Sequence, residues 1–420
     1  MVNERKVPEI RFDAFAEPWE QHGLTDVLSP TVGNNTLSRA ELNYDSGEVK
    51  NIHYGDVLIK FGAFVDAVND EIPFITNGTV ADHKNHLLQD GDVIFADTAE
   101  DETAGKVVEV TNSKETSIVS GLHTIVYRPK RKFADCFMGY YLNTNAYRYQ
   151  LLPLMQGAKV LSLGRSHLAT TFVRYPSELN EQIIISEFFR NLDDTIALKK
   201  QQYEQTANIK KAMLEKMFPK KGADVPEVRF EGFTGTWEVR KIYEIANVVT
   251  GSTPPTAFKE YYNGDFLFVS PADIQGNRYI SSTATTLTKE GFSLGRKVRS
   301  GAALFVSIGS TIGKVAQATT PLVTNQQINS VIGNSEVDDD FIFTVLESVS
   351  HSIRQSAATQ AVPIVNKTNF SGVCIWLPKL VEQKQIGNFF RNLDALITAQ
   401  QEEVEMLQNI KKAFLVKMFI

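Results

Sequence analysis

The sequence predicts an α+β protein: two domains of mixed α/β-sheet structure, separated by two long helices that form a coiled coil, with an internal pseudo-twofold repeat. Three observations carry this. Val7-Pro8-Glu9-Ile10-Arg11-Phe12 returns as Val225-Pro226-Glu227-Val228-Arg229-Phe230, and Trp19 as Trp237, at an offset of 218. Phe188-Phe189-Arg190-Asn191-Leu192-Asp193 returns as Phe389-Phe390-Arg391-Asn392-Leu393-Asp394 at an offset of 201, as does Asn208-Ile209-Lys210-Lys211-Ala212. Between these frames lie fillers rich in short β-type runs, whose lengths differ by 17 residues.

The elements follow in order. Residues 1–180 form the first domain. Its runs bounded by Gly and Asp are Asp56-Val57-Leu58-Ile59, Asp92 to Ala96, Lys106 to Val110 and His123 to Tyr127, which read as strands. A helix is expected from Phe137 to Leu154. Residues 181–218 read as a long helix, because Phe189, Leu192, Ile196, Tyr203, Thr206, Met213 and Met217 recur at steps of three and four or their sums. Residues 219–224, with Pro219 and Gly222, break it as a linker. The second domain, 225–380, has strand-like runs at Phe266 to Val269, Ala303 to Ser307, Lys314 to Ala316 and Ile328 to Ile332, then a helix from Phe341 to Ser356. Residues 381–420 repeat the long helix with Phe390, Leu393, Ile397, Val404, Leu407, Phe414 and Met418. Two apolar stripes of this length are best buried against each other.

Composition limits the function classes. With 43% hydrophobic and 22% charged residues, the chain has the balance of a soluble globular protein. No apolar run reaches the ~18 residues of a membrane span, and the first residues lack a secretory apolar core, so a cytoplasmic location is expected. Cys136 and Cys374, one in each half, fit buried thiols in a reducing compartment. The net charge of −6 argues against tight nucleic-acid binding by the lone chain. That charge is uneven, however: residues 1–180 carry −7, residues 219–380 carry +1, and the two helices are neutral.

Catalytic constellations are missing from the sequence. Gly309-Ser310-Thr311-Ile312-Gly313-Lys314 has three residues between its glycines where a phosphate loop needs four, and Val315 stands where Ser or Thr would hold magnesium. Gly105-Lys106-Val107 occupies the equivalent place, so the shared element is a Gly-Lys turn entering a strand. His83 and His86 have no Cys or Glu to complete a metal shell and read as exposed loop residues. Polar segments remain: Thr250-Gly251-Ser252-Thr253-Pro254 and Thr324-Asn325-Gln326-Gln327-Ile328-Asn329. Their amides suit adenine edges and their hydroxyls, like a lysine ammonium, suit phosphates; the plainer alternative is that they cap turns.

Together these segments resemble the specificity subunit of a type I restriction-modification enzyme. Thr250-Gly251-Ser252-Thr253-Pro254 is similar to that family's opening signature. The Gly309–Val315 and Asn325–Asn329 segments resemble its central motifs, and Leu377-Pro378, Glu382-Gln383 and Phe389–Asp394 its helix start, echoed by Pro176 and Glu181-Gln182. The resemblance implies two target-recognition domains, each reading half of a split site on double-stranded DNA, with antiparallel helices as the spacer. It also implies two modification (methyltransferase) subunits and restriction (translocase-nuclease) subunits as partners. S-adenosylmethionine, ATP and magnesium would belong to those partners, none to this chain, which would be non-catalytic. The first domain departs from the pattern, with Val32-Gly33-Asn34-Asn35-Thr36 at the opening and Leu122-His123-Thr124 set against Asn325-Gln326-Gln327.

On this reading the candidate DNA contacts are Lys159, Arg165, Ser166 and His167 in the first domain, and Ser252, Thr253, Lys314, Asn325, Gln326 and Gln327 in the second. A helix of about 36 residues rises roughly 54 Å, enough to hold two readers one or more DNA turns apart. A duplicated coiled-coil adaptor with protein-binding domains is the rival reading.

Overall fold

Each long helix begins on a buried Glu-Gln pair, and the two pairs are built alike. In the computed structural model, which describes residues 6–220, 222–357 and 363–420, Arg11 donates two hydrogen bonds of 2.7 Å to the Glu181 carboxylate. Gln182 accepts from Ala134 N and donates to Pro176 O. Arg229 repeats the fork on Glu382 at 2.7 and 2.8 Å, and Gln383 accepts from Asp338 N and donates to Pro378 O. The repeated frame, in which Trp follows Arg by eight positions, is therefore an ion-pair clamp on the first helical turn, where a carboxylate also suits the helix dipole.

The helices run Leu179–Lys216 and Leu380–Lys417. The chain forms two compact units, one of residues up to 197 with 405–420, the other of 198–404. Within each unit the start of one helix lies antiparallel to the end of the other. In the first, Phe188 meets Phe414 edge-on at 5.0 Å and Asp193 pairs with Lys411. In the second, Lys199 pairs with Glu403 at 2.9 Å and Lys210 with Asp394 at 2.6 Å. The apolar stripe positions are buried or half-buried throughout. Their ends leave the coil: Met418, Phe419 and Ile420 plug the first unit's core beside Trp19 and Phe137, and Met217 and Phe218 plug the second's beside Trp237 and Phe341.

In both units the main sheet has five strands in a matching order. In the first they are Leu28–Ser29, Thr124–Pro129, Val93–Ala96, Val107–Thr111 and Phe64–Asp66. In the second they are Ala246–Thr250, Ile328–Gly333, Ala303–Val306, Val315–Ala318 and Tyr279–Ile280. The last pair is parallel in each and the rest are antiparallel. A four-stranded sheet joins each, containing the parallel pairs Ile118–Ser120 with Lys50–Ile52 and Leu322–Thr324 with Tyr262–Val269.

Four expectations are corrected. Asp56 to Ile59 lies in a helix, Tyr54–Ile59, because His53 Nδ1 caps Gly55 N; a short apolar run does not distinguish strand from helix by itself. The helix expected from Phe137 to Leu154 is broken into Phe137–Leu142, Asn145–Arg148 and a turn at Leu152–Leu154. Asn143 causes the break, its side chain accepting from Val107 N and donating to Val107 O. Its counterpart is the continuous helix Asp339–Ala357. Cys136 is buried, but Cys374 is exposed at the start of an edge strand. His83 ends a one-turn helix and His86 packs over Gly33, so both are half-buried.

Candidate nucleic-acid interface

The two polar segments of the second unit, whose starts at Thr250 and Thr324 lie 74 residues apart in sequence, form one surface. Gly251 N donates to Ile328 O at 3.0 Å and Ser252 N to Thr324 O at 2.8 Å. Gly251 is required here, since a Cβ would fall 2.1 Å from Asn325 O and 2.2 Å from Thr324 O. Thr253 Oγ1 donates to Gln326 Oε1 at 2.7 Å, orienting an exposed amide. Asn325 donates to Gln327 Oε1 and accepts from Gln327 N, closing the turn. Ser252 Oγ accepts from Arg296 N at 2.9 Å. The sequence missed Arg296, whose guanidinium also donates to Thr250 O.

Lys314 is elsewhere engaged. Its ammonium donates to Ile274 O at 3.1 Å, and Lys106 donates to Leu58 O and Phe61 O, both at 2.9 Å. The Gly-Lys turns are equivalent: Gly105 N donates to Ala96 O and Gly313 N to Val306 O, with φ of 78° and 94°. Burial lowers the Lys106 pKa, with Arg148 adding repulsion. In both units, then, the lysine ties the turn to a neighbouring segment.

The first unit builds the same backbone with other side chains. Asn35 N donates to Ser120 O and Gly121 N to Ile52 O, as Ser252 N does to Thr324 O and Asn325 N to Val269 O. These bonds set Gly121-Leu122-His123 against Asn325-Gln326-Gln327, one residue earlier than the sequence comparison placed it. His123 takes a left-handed conformation, φ 56°. Around it is a ring cluster: Tyr54 lies 5.3 Å from His123 and 4.5 Å from His53. His123 Nδ1 donates to Asp97 Oδ1 at 3.3 Å. Burial pushes the Asp97 pKa up and the His53 pKa down, the latter helped by Arg39. His53, Tyr54 and Asp97 have no spacing signal, and only matched hydrogen bonds reveal them.

Lys159, Arg165, Ser166 and His167 flank this turn. Leu163 N donates to Asp97 O at 2.8 Å, which brings the segment alongside His123. Lys159 is exposed in the loop closed by the Gln156–Ser162 bridge. Arg165 and Ser166 are exposed on the helical turn Arg165–Leu168, and His167 is half-buried. Among the described residues no group of three His, Cys, Asp or Glu side chains is placed to hold a metal, and no helix is long and apolar enough to cross a membrane.

Two copies of one frame, each ending in a polar turn of different chemistry, match a known family. The model of the type I restriction modification DNA specificity domain matches residues 17–207 and again 234–406. This chain belongs to that family. It is 22% identical over 414 residues to a putative type I restriction enzyme specificity subunit of Methanocaldococcus jannaschii, covering 94% of this chain and 91% of the relative. The fold is similar to that of the S subunit of a type I restriction-modification system from M. genitalium, with a TM-score of 0.66 at 12% identity over 99% of both chains. It is also similar to a chain solved in work on complex assembly and conformational transition of the type I R-M system, with a TM-score of 0.54 at 18% identity over 96% of this chain and 97% of that one.

Proposed function

We propose that this chain is the DNA-recognition subunit of a type I restriction-modification complex, each unit reading one half of a bipartite site. The observation that carries this is the pair of turns at Gly121–His123 and Asn325–Gln327. They hang on equivalent backbone hydrogen bonds but present rings and an imidazole in one case and amides in the other. A frame held constant with contents that differ is what two different half-sites require. Family membership favours this over the adaptor reading.

In this proposal Ser252, Thr253, Asn325, Gln326 and Gln327 face the bases of one half-site, and Lys159, Arg165, Ser166 and His167 with His123 face the other. Lys314 acts by holding its turn. Base pairs between the half-sites are spanned without being read, and the helices, each running through both units, set their number. Adenine methylation and cleavage belong to cytoplasmic modification and restriction subunits carrying S-adenosylmethionine, ATP and magnesium. Methylome sequencing of the host with and without this chain tests the proposal. Loss of one split, adenine-methylated motif is the expected result, and an unchanged methylome sinks it. One extra helical turn inserted within residues 197–207, with its match in the second helix, should change the accepted spacer length.

A further inference from the structure

The two frames differ sharply at one place outside the reading turns. Lys130 N donates to Val27 O and Asn334 N to Ile245 O, both as the main sheet's second strand ends. Four residues later Ala134 N and Asp338 N donate to the glutamines that begin the long helices. The intervening loops are therefore equivalent, residue for residue: Lys130-Arg131-Lys132 in the first unit, Asn334-Ser335-Glu336 in the second. All six are exposed. The first loop presents three consecutive cations, the second one anion.

The cations are only weakly neutralised by their own unit. Lys132 has no hydrogen bond or ion pair among the described residues, and Lys130 Nζ donates to a carbonyl, Thr25 O. Arg131 stacks on Tyr175 and donates to its hydroxyl, with Glu20 no nearer than 3.8 Å. They line a cavity of about 420 Å³ together with Arg128, Asp90 and Phe133. In the second unit the acidic run that follows is satisfied internally. Asp339 pairs with Arg299, and Asp340 with Arg278 and Arg391.

We infer that Lys130-Arg131-Lys132 is a docking surface for a carboxylate-rich face of the modification subunit, and that the two copies of that subunit are held unequally. The inference rests on the proposed function. Position favours a protein over DNA. The strand Thr124–Pro129 separates this loop from the reading turn at His123 by about 20 Å at ~3.4 Å per residue, so the loop sits at the helix-start end of the unit, away from the bases. A duplicated frame offers the same backbone to two identical partners. Only the copy on the first unit meets the cations, and its hold weakens with salt because exposed charges are screened.

The test loads the full chain with the modification subunit encoded beside it, without DNA, and follows stoichiometry by native mass spectrometry and sedimentation at low and high NaCl. The triple variant Lys130→Gln, Arg131→Gln, Lys132→Gln should lose one copy about tenfold more readily and keep the other unchanged. Lys132→Gln alone, which removes no hydrogen bond or ion pair among the described residues, should shift the same copy less. Glu336→Lys should tighten the other copy. Unchanged loading in all three overturns the inference, as does unchanged loading with weaker DNA binding, which would make the loop a phosphate contact. If the unaltered chain loads no modification subunit, the proposed function fails and takes this inference with it. If it loads two and the variants do the same, only this inference fails.

Discussion

The two units share a backbone and differ where chemistry faces outward. At the turn just before the second main strand, the second unit displays Asn325, Gln326 and Gln327, cross-braced by Thr253. The first displays Leu122 and His123, braced by Tyr54 and Asp97. Inside, the differences are fewer but sharper, and they tell which substitutions each unit tolerates. The teaching is that duplication preserved hydrogen-bond geometry and released side-chain identity.

The largest expected effect lies in the core. Glu109 is buried, accepting from Cys136 N and Gly139 N, and burial outweighs those bonds to push its pKa up to about 8. Gln317 stands at the same strand position in the second unit, donating to Gly301 O and accepting from Arg278. A carboxyl whose pKa is higher folded than unfolded contributes stability fully present below the ordinary carboxylate range and lost as pH rises through about 8, at up to ~1.4 kcal/mol per pH unit. The first unit should therefore weaken from about pH 5 to pH 8; in the second, Gln317 contributes no such slope, although burial also raises the Glu347 pKa there. Glu109→Gln should flatten that slope in urea titrations followed by unit-resolved hydrogen exchange. A slope that persists would mean another group titrates.

The helix-start clamps are next. Glu181 accepts from Arg11 and also from Trp19 Nε1 at 3.2 Å, whereas Trp237 Nε1 is buried with no partner among the described residues, where Glu382 has Arg229 as its side-chain donor. Arg229 further donates to Gly235 O. Arg229→Ala should cost about 3–5 kcal/mol, the range for stranding one partner of a buried pair. Arg11→Ala should cost less by roughly 1.5 kcal/mol, since a hydrogen bond to the charge survives. Equal losses in denaturant midpoints would show that Trp19 contributes nothing.

Gly251→Ala sets a Cβ against two carbonyls and should destabilise the second unit by about 1–3 kcal/mol. Asn34 occupies the equivalent place in the first unit, so Asn34→Ala there should be milder. Hydrogen exchange of the strands at 246–250 and 328–333 reads this directly. Protection unchanged in Gly251→Ala would show that the turn opens without cost.

Much of this fold was legible in residues because the repeat is covalent information: Glu181-Gln182 and Glu382-Gln383 are visible as text, and so are the stripes from Phe189 and Phe390. The pairing of Thr253 with Gln326 was only half legible, since both were named but nothing in one dimension brings them to 2.7 Å. Lys314 looked like a phosphate ligand because a lysine after glycine often is one, yet its ammonium is drawn to Ile274 O. The break at Asn143 and the His53–Tyr54–His123 cluster were illegible. Both depend on which strand lies alongside, and local propensity does not carry that.

The smallest effect is the one closest to recognition. Thr36 and Leu122 stand in the first unit where Thr253 and Gln326 stand in the second, so the threonine is shared and its amide partner is not. Gln326→Leu makes the second turn resemble the first without touching the backbone. If Gln326 reads a base edge, the variant should lose about 1–3 kcal/mol of discrimination at one position of one half-site, leaving the other half-site and the spacer intact. Thr253→Val should lose less, because the amide stays but is no longer oriented. Methylation of a randomised-site library by the assembled complex measures both. Relaxation at both half-sites would mean the turn supports assembly, and unchanged specificity in both variants would move the reading surface away from this turn.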